Sequence, residues 1–591
     1  MIAIDYVVLG VYFAIATGIG FSVMHRVKAQ DDYFLGSRGF GKFLQTFAAF
    51  GAGTGSGDPV NASRTVFTEG ASGMWSVMYW LFMTPFYWIT SVWYRRMRHV
   101  TLGDWYAERF ESPRLAAAYA VFGVIFFIVY ASMLMSAIGK VAAPLIGVEM
   151  IEIGGRAIPF EYVLVPVVGA VVLTYGLAGG LHAAFLTDLV QGVCIILLSI
   201  VLLPFGLHAL VERFGDPSQQ SLLDGFAIMH QRLPASAFEI LGDAASEFTP
   251  SFLVVVVLLN LVGVVVQPHF VATGGGAAKS EFDGRVGLVT GNLLKRLCTV
   301  GWVLAGLMAL ALYGDDPVLL DDPDKTWGVI SQRLLVPGLT GLMLACLLAA
   351  LMSSVDAYMI SGSALIVRNL YSQYINPQAT ERHALLIARL TGAAIVAGAV
   401  IVSLTMMDVF AQLKLTWGIP VLFAAPFWVG MYWRGATTAG AWATVLFGAL
   451  AFFIIPAFAS EFTLAGLFGV DLTQYSSSMA GTIQLAEKVV APFVVMILVS
   501  AVTKSNSNAA LDRYYAKMRL PVDPDPETDR QQLAAAVAGQ QNGLVDKLFP
   551  GTSLEFNKPT RVDILGFAAM AGCCVLVIGL AQLVLSFRAA G

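Results

Sequence analysis

Residues 51–59 read Gly51-Ala52-Gly53-Thr54-Gly55-Ser56-Gly57-Asp58-Pro59, inside an apolar segment spanning 41–62. A bilayer-crossing helix takes about 20 largely apolar residues, and this segment is long enough. Each interior glycine costs such a helix roughly 1 kcal/mol and the proline about 3. Unwound backbone at membrane depth is tolerated only where protein buries it or where it lines a cavity. The freed carbonyls then coordinate a cation, and the half-helix ends face a solute. The competing reading is a glycine-packed contact between helices. A second interruption, Gln267-Pro268-His269-Phe270-Val271-Ala272-Thr273-Gly274-Gly275-Gly276, closes the apolar segment that begins at 251.

The rest of the chain has the same character. Of 591 residues, 57% are hydrophobic and 13% charged, and the mean hydropathy is +0.73. An average soluble protein carries roughly 25% charged residues. A soluble enzyme, a nucleic-acid binder and a secreted disulfide scaffold are excluded. The expected partner is the lipid bilayer, and no nucleic acid. The five cysteines lie in apolar runs with neither disulfide nor zinc spacing. The N-terminal stretch has Asp5 where a signal peptide is basic, and it reads as a first span.

Fourteen apolar segments fit spanning helices: 4–25, 41–62, 72–96, 114–146, 160–178, 181–206, 251–273, 290–313, 338–368, 382–406, 408–433, 436–458, 486–503 and 563–587. The fold class is therefore an all-α integral membrane protein. The interrupted segments are the second and the seventh, which is the spacing of two inverted five-helix repeats, each opening on a broken helix. The expected organisation is an extra helix and cytoplasmic loop (1–40), a first repeat with an external loop (41–250) and a second, inverted repeat (251–433). Two additional helices (434–503), a cytoplasmic segment (504–562) with the Pro and charge of a linker and one short helical run, and a last helix (563–591) follow. Basic residues mark alternate loops: Arg26, Lys28, Arg38 and Lys42; Arg95, Arg96, Arg98, Arg109 and Arg114; Lys279, Arg285, Lys295 and Arg296; Arg368 and Arg382. The positive-inside rule makes that side cytoplasmic and places both termini outside the cytoplasm. With no eukaryotic targeting feature, a bacterial inner membrane is the expected location.

The ninth segment contains Ala350-Leu351-Met352-Ser353-Ser354-Val355-Asp356. Serine back-bonding to the helix explains the hydroxyls without an ion. It does not explain Asp356, since an intramembrane carboxylate marks an ion or solute path by default. Asp188, in the sixth segment, is either a second such carboxylate or an interfacial helix cap. Asp58 either contacts solute hydroxyls or an amine, or is a fixed partner of Arg64. Asn260, Gln267 and His269 are further candidates for solute contact. Lys140 is expected to snorkel to the outer interface.

Asp32-Tyr33-Phe34-Leu35-Gly36-Ser37-Arg38, Tyr175-Gly176-Leu177-Ala178-Gly179-Gly180-Leu181 with Thr187-Asp188 and Gln191, Ala277-Ala278-Lys279-Ser280-Glu281, and Ala350–Asp356 with Asn369-Leu370-Tyr371 occur in this order. Together they resemble the sodium–solute symporter family, which includes the sodium–glucose, sodium–proline and sodium–sialic acid symporters. The resemblance implies a LeuT-type core with one helix before it and three after. It implies a sodium site made of the carbonyls of Gly51, Thr54 and Ala350 and the hydroxyls of Ser353 and Ser354. Asp188 matches an aspartate near a second sodium in some members, with Asp356 and Ala357 where those members carry hydroxyls, so a second cation or a proton is expected there. The segment Gln267-Pro268-His269-Phe270 departs from the sugar-transporting members, so sugar specificity is not transferred.

The function expected from these residues and the resemblance is sodium-driven uptake of a small organic solute by alternating access, with no enzymatic activity. The solute is a sugar or polyol, an amino acid or a carboxylate. Proton coupling through Asp188, Asp356 and Asp58 is the main alternative, and a solute sensor on the same core is another.

Overall fold

The structure, a computed structural model, describes residues 1–23, 30–176, 180–216, 221–459, 462–540 and 544–588. Arg26, Lys28, Leu177, Ala178 and Gly179 of the sequence motifs lie outside the described residues. Among the described residues the regular structure is helical, apart from one antiparallel hairpin, Met150–Ile153 with Arg156–Pro159.

Ten of the fourteen apolar segments fall on helices long and apolar enough to cross a bilayer. The other four are short or interrupted for identifiable reasons. The second segment divides into α1 (Lys42–Ala52) and α2 (Gly57–Glu69), with Gly53–Ser56 unwound between them. The third begins as short α and 3-10 turns over Gly70–Met83 before a regular helix, Thr84–Met97. The fifth is the helix Glu161–Gly176. The seventh stops after Pro250–Val264 and resumes as a π-turn, Ala272–Gly276, where Gly275 takes φ +126°.

Around the first break pack α3 (Pro113–Ile146), α4 (Gly180–Phe214), α6 (Glu281–Tyr313) and α7 (Leu339–Leu365), while α5 (Pro250–Val264) carries the seventh segment up to the second break. Helix α7 is the axis of the bundle, and its apolar window is completely buried. In lipid such packing depends on close backbone approach and on polar contacts between helices. Gly291 of α6 provides one such approach, because a methyl group there would sit 2.8 Å from both Phe50 N and Thr46 O of α1.

Two expectations are corrected. Lys295 and Arg296 are not loop residues. Ser280 caps α6 by accepting a hydrogen bond from Asp283 N at 3.1 Å, so the helix starts nine residues before the expected 290 and carries both cations into the interior. Residues 504–562 hold two helices, Asn508–Arg519 and Pro526–Val537, rather than one short helical run in a linker. Both dock on the bundle. Arg98 grips Asp529 through Nε and Nη2 at 2.8 and 2.7 Å, and Trp105 Nε1 donates to Tyr514 OH at 2.8 Å.

Lys517 reaches Glu108, which also meets His99 Nε2 at 2.7 Å. Burial pushes the Glu108 carboxyl up, but the His99 hydrogen bond and the Lys517 ammonium outweigh it and hold the group down at about 2, against an ordinary 4.5. A depressed carboxyl stabilises the fold fully above its unfolded value, and that contribution is lost as pH falls through the folded value. Thermal unfolding in detergent should therefore lose stability between pH 4.5 and pH 2, and Glu108→Gln should flatten that window relative to wild type.

Candidate functional site

The unwound segment brings its carbonyls to two neighbours. On one side lies α7. Ser354 Oγ is 3.3 Å from both Gly51 O and Ala52 O. Gly51 O also accepts from Thr54 N at 3.0 Å. The adjacent Ser353 hydroxyl donates to Asp188 Oδ1 from α4. Ala350 is completely buried one helical turn before this pair. Thr54 Oγ1 is buried with no hydrogen-bond partner among the described residues. Glycine is required at 51, since a methyl group would strike Ser353 Oγ and lie 2.9 Å from Asp188 Oδ1. Of the residues singled out for a cation, Gly51, Ser353, Ser354 and Asp188 thus meet at the end of α1, and Thr54 is tied to them through its N–H on Gly51 O. Asp356, buried on the same helix, lies within Coulombic reach of Asp188.

On the other side lies α6. Lys295 Nζ pairs with Asp58 Oδ1 at 2.8 Å and also donates to Gly53 O. Asp58 Oδ2 accepts from Gly55 N at 2.8 Å. Lys295 therefore bridges the break, touching the first unwound residue after α1 and the first turn of α2. Arg64, the alternative partner weighed for Asp58, instead pairs with Asp324 at 3.3 Å.

A cavity of about 30 Å³ adjoins this bridge, lined among others by Tyr130, Gln267, His269, Asn292, Lys295 and Arg296. That volume holds no more than about one water. The bundle must therefore open before an organic solute can enter. Gln267 Oε1 and His269 Nδ1 are buried without hydrogen-bond partners among the described residues. Asn260 is not among the lining residues. Its Oδ1 accepts from Tyr79 OH at 3.3 Å, and its Nδ2 donates to Val256 O at 2.9 Å. Lys140 does not snorkel, because it is buried and its Nζ pairs with Glu161 at 3.0 Å and Asp322 at 2.7 Å.

Sequence reasoning missed Lys295 and Arg296 as site residues. The signal that finds them is Ser280-Glu281-Phe282-Asp283, a Ser-x-x-Asp helix start that places both four turns inside α6.

The sequence pattern of the family SSF: Sodium:solute symporter family matches residues 33–448. The chain belongs to the sodium:solute symporter family. It is 26% identical to the osmoregulated proline transporter OpuE of Bacillus subtilis (strain 168) over 470 residues, covering 75% of this chain and 86% of that one. It is 25% identical to the sodium/pantothenate symporter of Escherichia coli (strain K12), covering 75% and 89%. The solved substrate-bound, outward-open state of a Na+-coupled sialic acid symporter superposes with a TM-score of 0.67 at 16% identity, covering 85% of this chain and 99% of that one. That likeness establishes the fold. As a member of the family, the protein is a multi-pass, sodium-coupled solute transporter with a LeuT-type core. Its substrate is a small organic solute.

The Lys295–Asp58 bridge generates a stability prediction. Removing one partner of a buried pair costs about 3–5 kcal/mol, because the other charge is left uncompensated. Asp58→Asn should lower thermal stability by that order, and Asp58→Asn combined with Lys295→Met should recover much of it. A double-mutant cycle by thermal unfolding gives the coupling energy.

Proposed function

We propose that sodium binds where α1 ends and α7 crosses it, among the carbonyls of Gly51, Thr54 and Ala350 and the hydroxyls of Ser353 and Ser354. The single observation that carries this is Ser354 Oγ poised 3.3 Å from two carbonyls at the end of α1. In that position an ion joins two helices whose hydrogen bonds at this point are the long ones of the Ser354 hydroxyl. Asp188, hydrogen-bonded to Ser353, brings a negative charge to the same point.

The solute is proposed to bind in the adjoining cavity, between the two broken helices, with Gln267 and His269 among its contacts. Asp58 shapes this site by holding Lys295. Sodium and solute share the backbone of the first break, so binding of either orders part of the other's site. Each then raises the other's affinity by the same factor. Solute and ion are carried together from the side opposite the basic loops to the side that bears them, with both termini on the side of entry. The extra helix, the two five-helix repeats, the two additional helices, the docked 504–562 segment and the last helix remain the proposed division of the chain.

Proton coupling is the second reading. It is favoured by Asp188 and Asp356, two carboxylates within Coulombic reach of each other in the interior.

Thermal unfolding of the purified protein in sodium, against equal potassium or choline, tests the first reading. A ligand specific for the native state stabilises by about 2.7 kcal/mol at a hundredfold excess over its Kd. The expected result is a saturable, sodium-specific rise in Tm that Ser354→Ala and Gly51→Ala abolish, together with loss of sodium-driven uptake in proteoliposomes. A Tm indifferent to sodium but tracking pH, and altered by Asp188→Asn, establishes the second reading instead.

A further inference from the structure

Arg296 is completely buried and lines the central cavity. Its Nη1 donates to Val77 O, while its Nε and Nη2 are buried with no hydrogen-bond partner among the described residues. Those two nitrogens form one edge of the guanidinium plane, the edge that accepts a carboxylate side-on with two parallel hydrogen bonds. Elsewhere in this protein the same edge does so. Arg96 grips Glu281 through Nε and Nη2 at 2.8 and 3.0 Å, and Arg98 grips Asp529 at 2.8 and 2.7 Å.

Among the described residues no carboxylate occupies that edge of Arg296. Asp58 is within Coulombic reach of it, but the oxygens of Asp58 are engaged by Lys295 Nζ and Gly55 N. Two fixed cations therefore face one carboxylate beside the cavity, leaving one positive charge in excess. An uncompensated guanidinium inside a membrane protein is strongly unfavourable and points to a functional partner. Gln267 lines the same cavity, and its Oε1 is buried with no donor among the described residues.

We infer that the transported solute is a carboxylate anion that also carries a hydroxyl or N–H donor, and that Arg296 selects it by gripping the carboxylate through Nε and Nη2. The donor of the solute then meets Gln267, while the Lys295–Asp58 pair holds the helix break and takes no part in charge recognition. This inference rests on the reading of the cavity as the solute site.

The test pairs acids with their primary amides: lactate, glycerate, N-acetylglycine and proline against lactamide, glyceramide, N-acetylglycinamide and prolinamide. Binding to the full-length protein is read by thermal unfolding, with and without sodium. At least one acid should stabilise the protein where its amide does not. Arg296→Gln should weaken that acid's binding at least about thirtyfold, the lower end of the usual loss for one member of a buried charge pair, while keeping the rise produced by sodium alone. Arg296→Lys, which keeps the charge without the two-pronged edge, should fall between the two. The inference is overturned if acid and amide stabilise equally, if no acid in the panel stabilises, or if Arg296→Gln binds the acid as wild type does. The comparison on the wild-type protein stands even if Arg296→Gln does not fold. An acid–amide difference without any sodium effect sustains the carboxylate assignment while refuting the sodium site, so the two readings fail separately.

Discussion

Four residues of unwound backbone, Gly53–Ser56, lie between α1 and α2 in the interior of a membrane protein. Water is not at hand there to pair with freed carbonyls, and an orphaned one costs several kcal/mol. The surrounding structure is arranged to meet that demand. Ser354 reaches the carbonyls of Gly51 and Ala52 from α7, and Lys295 reaches that of Gly53 from α6. The break is thereby tied to two helices, one carrying hydroxyls and the other carrying charge. Everything proposed for ion and solute follows from which neighbour supplies each partner.

The two sets of partners differ in kind, and the difference suits a coupled carrier. Lys295 is a charged tether, matched by Asp58 at 2.8 Å. The Ser354 contacts are long and neutral, and a cation placed among the same oxygens replaces them with stronger ones. On the proposed reading, one flank of the break is held by charge while the other tightens when an ion arrives. A cavity of about 30 Å³ beside the fixed flank shows how closely the helices meet in this state. Admitting a solute therefore requires the helices to part, which is the movement an alternating-access carrier uses.

The basic face supports the same helix from outside. Glu281, the first residue of α6, is held by both donors of one edge of Arg96 and accepts from Val522 N at 3.0 Å. The 504–562 segment therefore touches the helix that carries Lys295 and Arg296, about four turns from the cavity. Paired charges around Arg98, Asp529, Lys517 and Glu108 hold that segment down. Its composition reads as a linker because its polar residues face partners that are distant in sequence.

The sequence by itself determined that the chain lives in a bilayer, where its apolar segments fall, and that two of them are broken. It also marked the hydroxyl pair Ser353–Ser354 and the carboxylate Asp188, because polar residues in an apolar run stand out without any knowledge of neighbours. Hydropathy could not place Lys295 and Arg296. A cation near the end of an apolar run looks like a loop residue unless its partner is known, and Asp58, the partner of Lys295, lies in another repeat. Only the tertiary structure decided that Asp58 answers Lys295 rather than Arg64, that Asn260 is satisfied within the bundle, and that Arg296, a residue lining the cavity, has one edge without a partner among the described residues. Burial and pairing are properties of the assembled helices. Composition records that a charge exists, but packing alone decides whether water, another side chain or a solute must neutralise it.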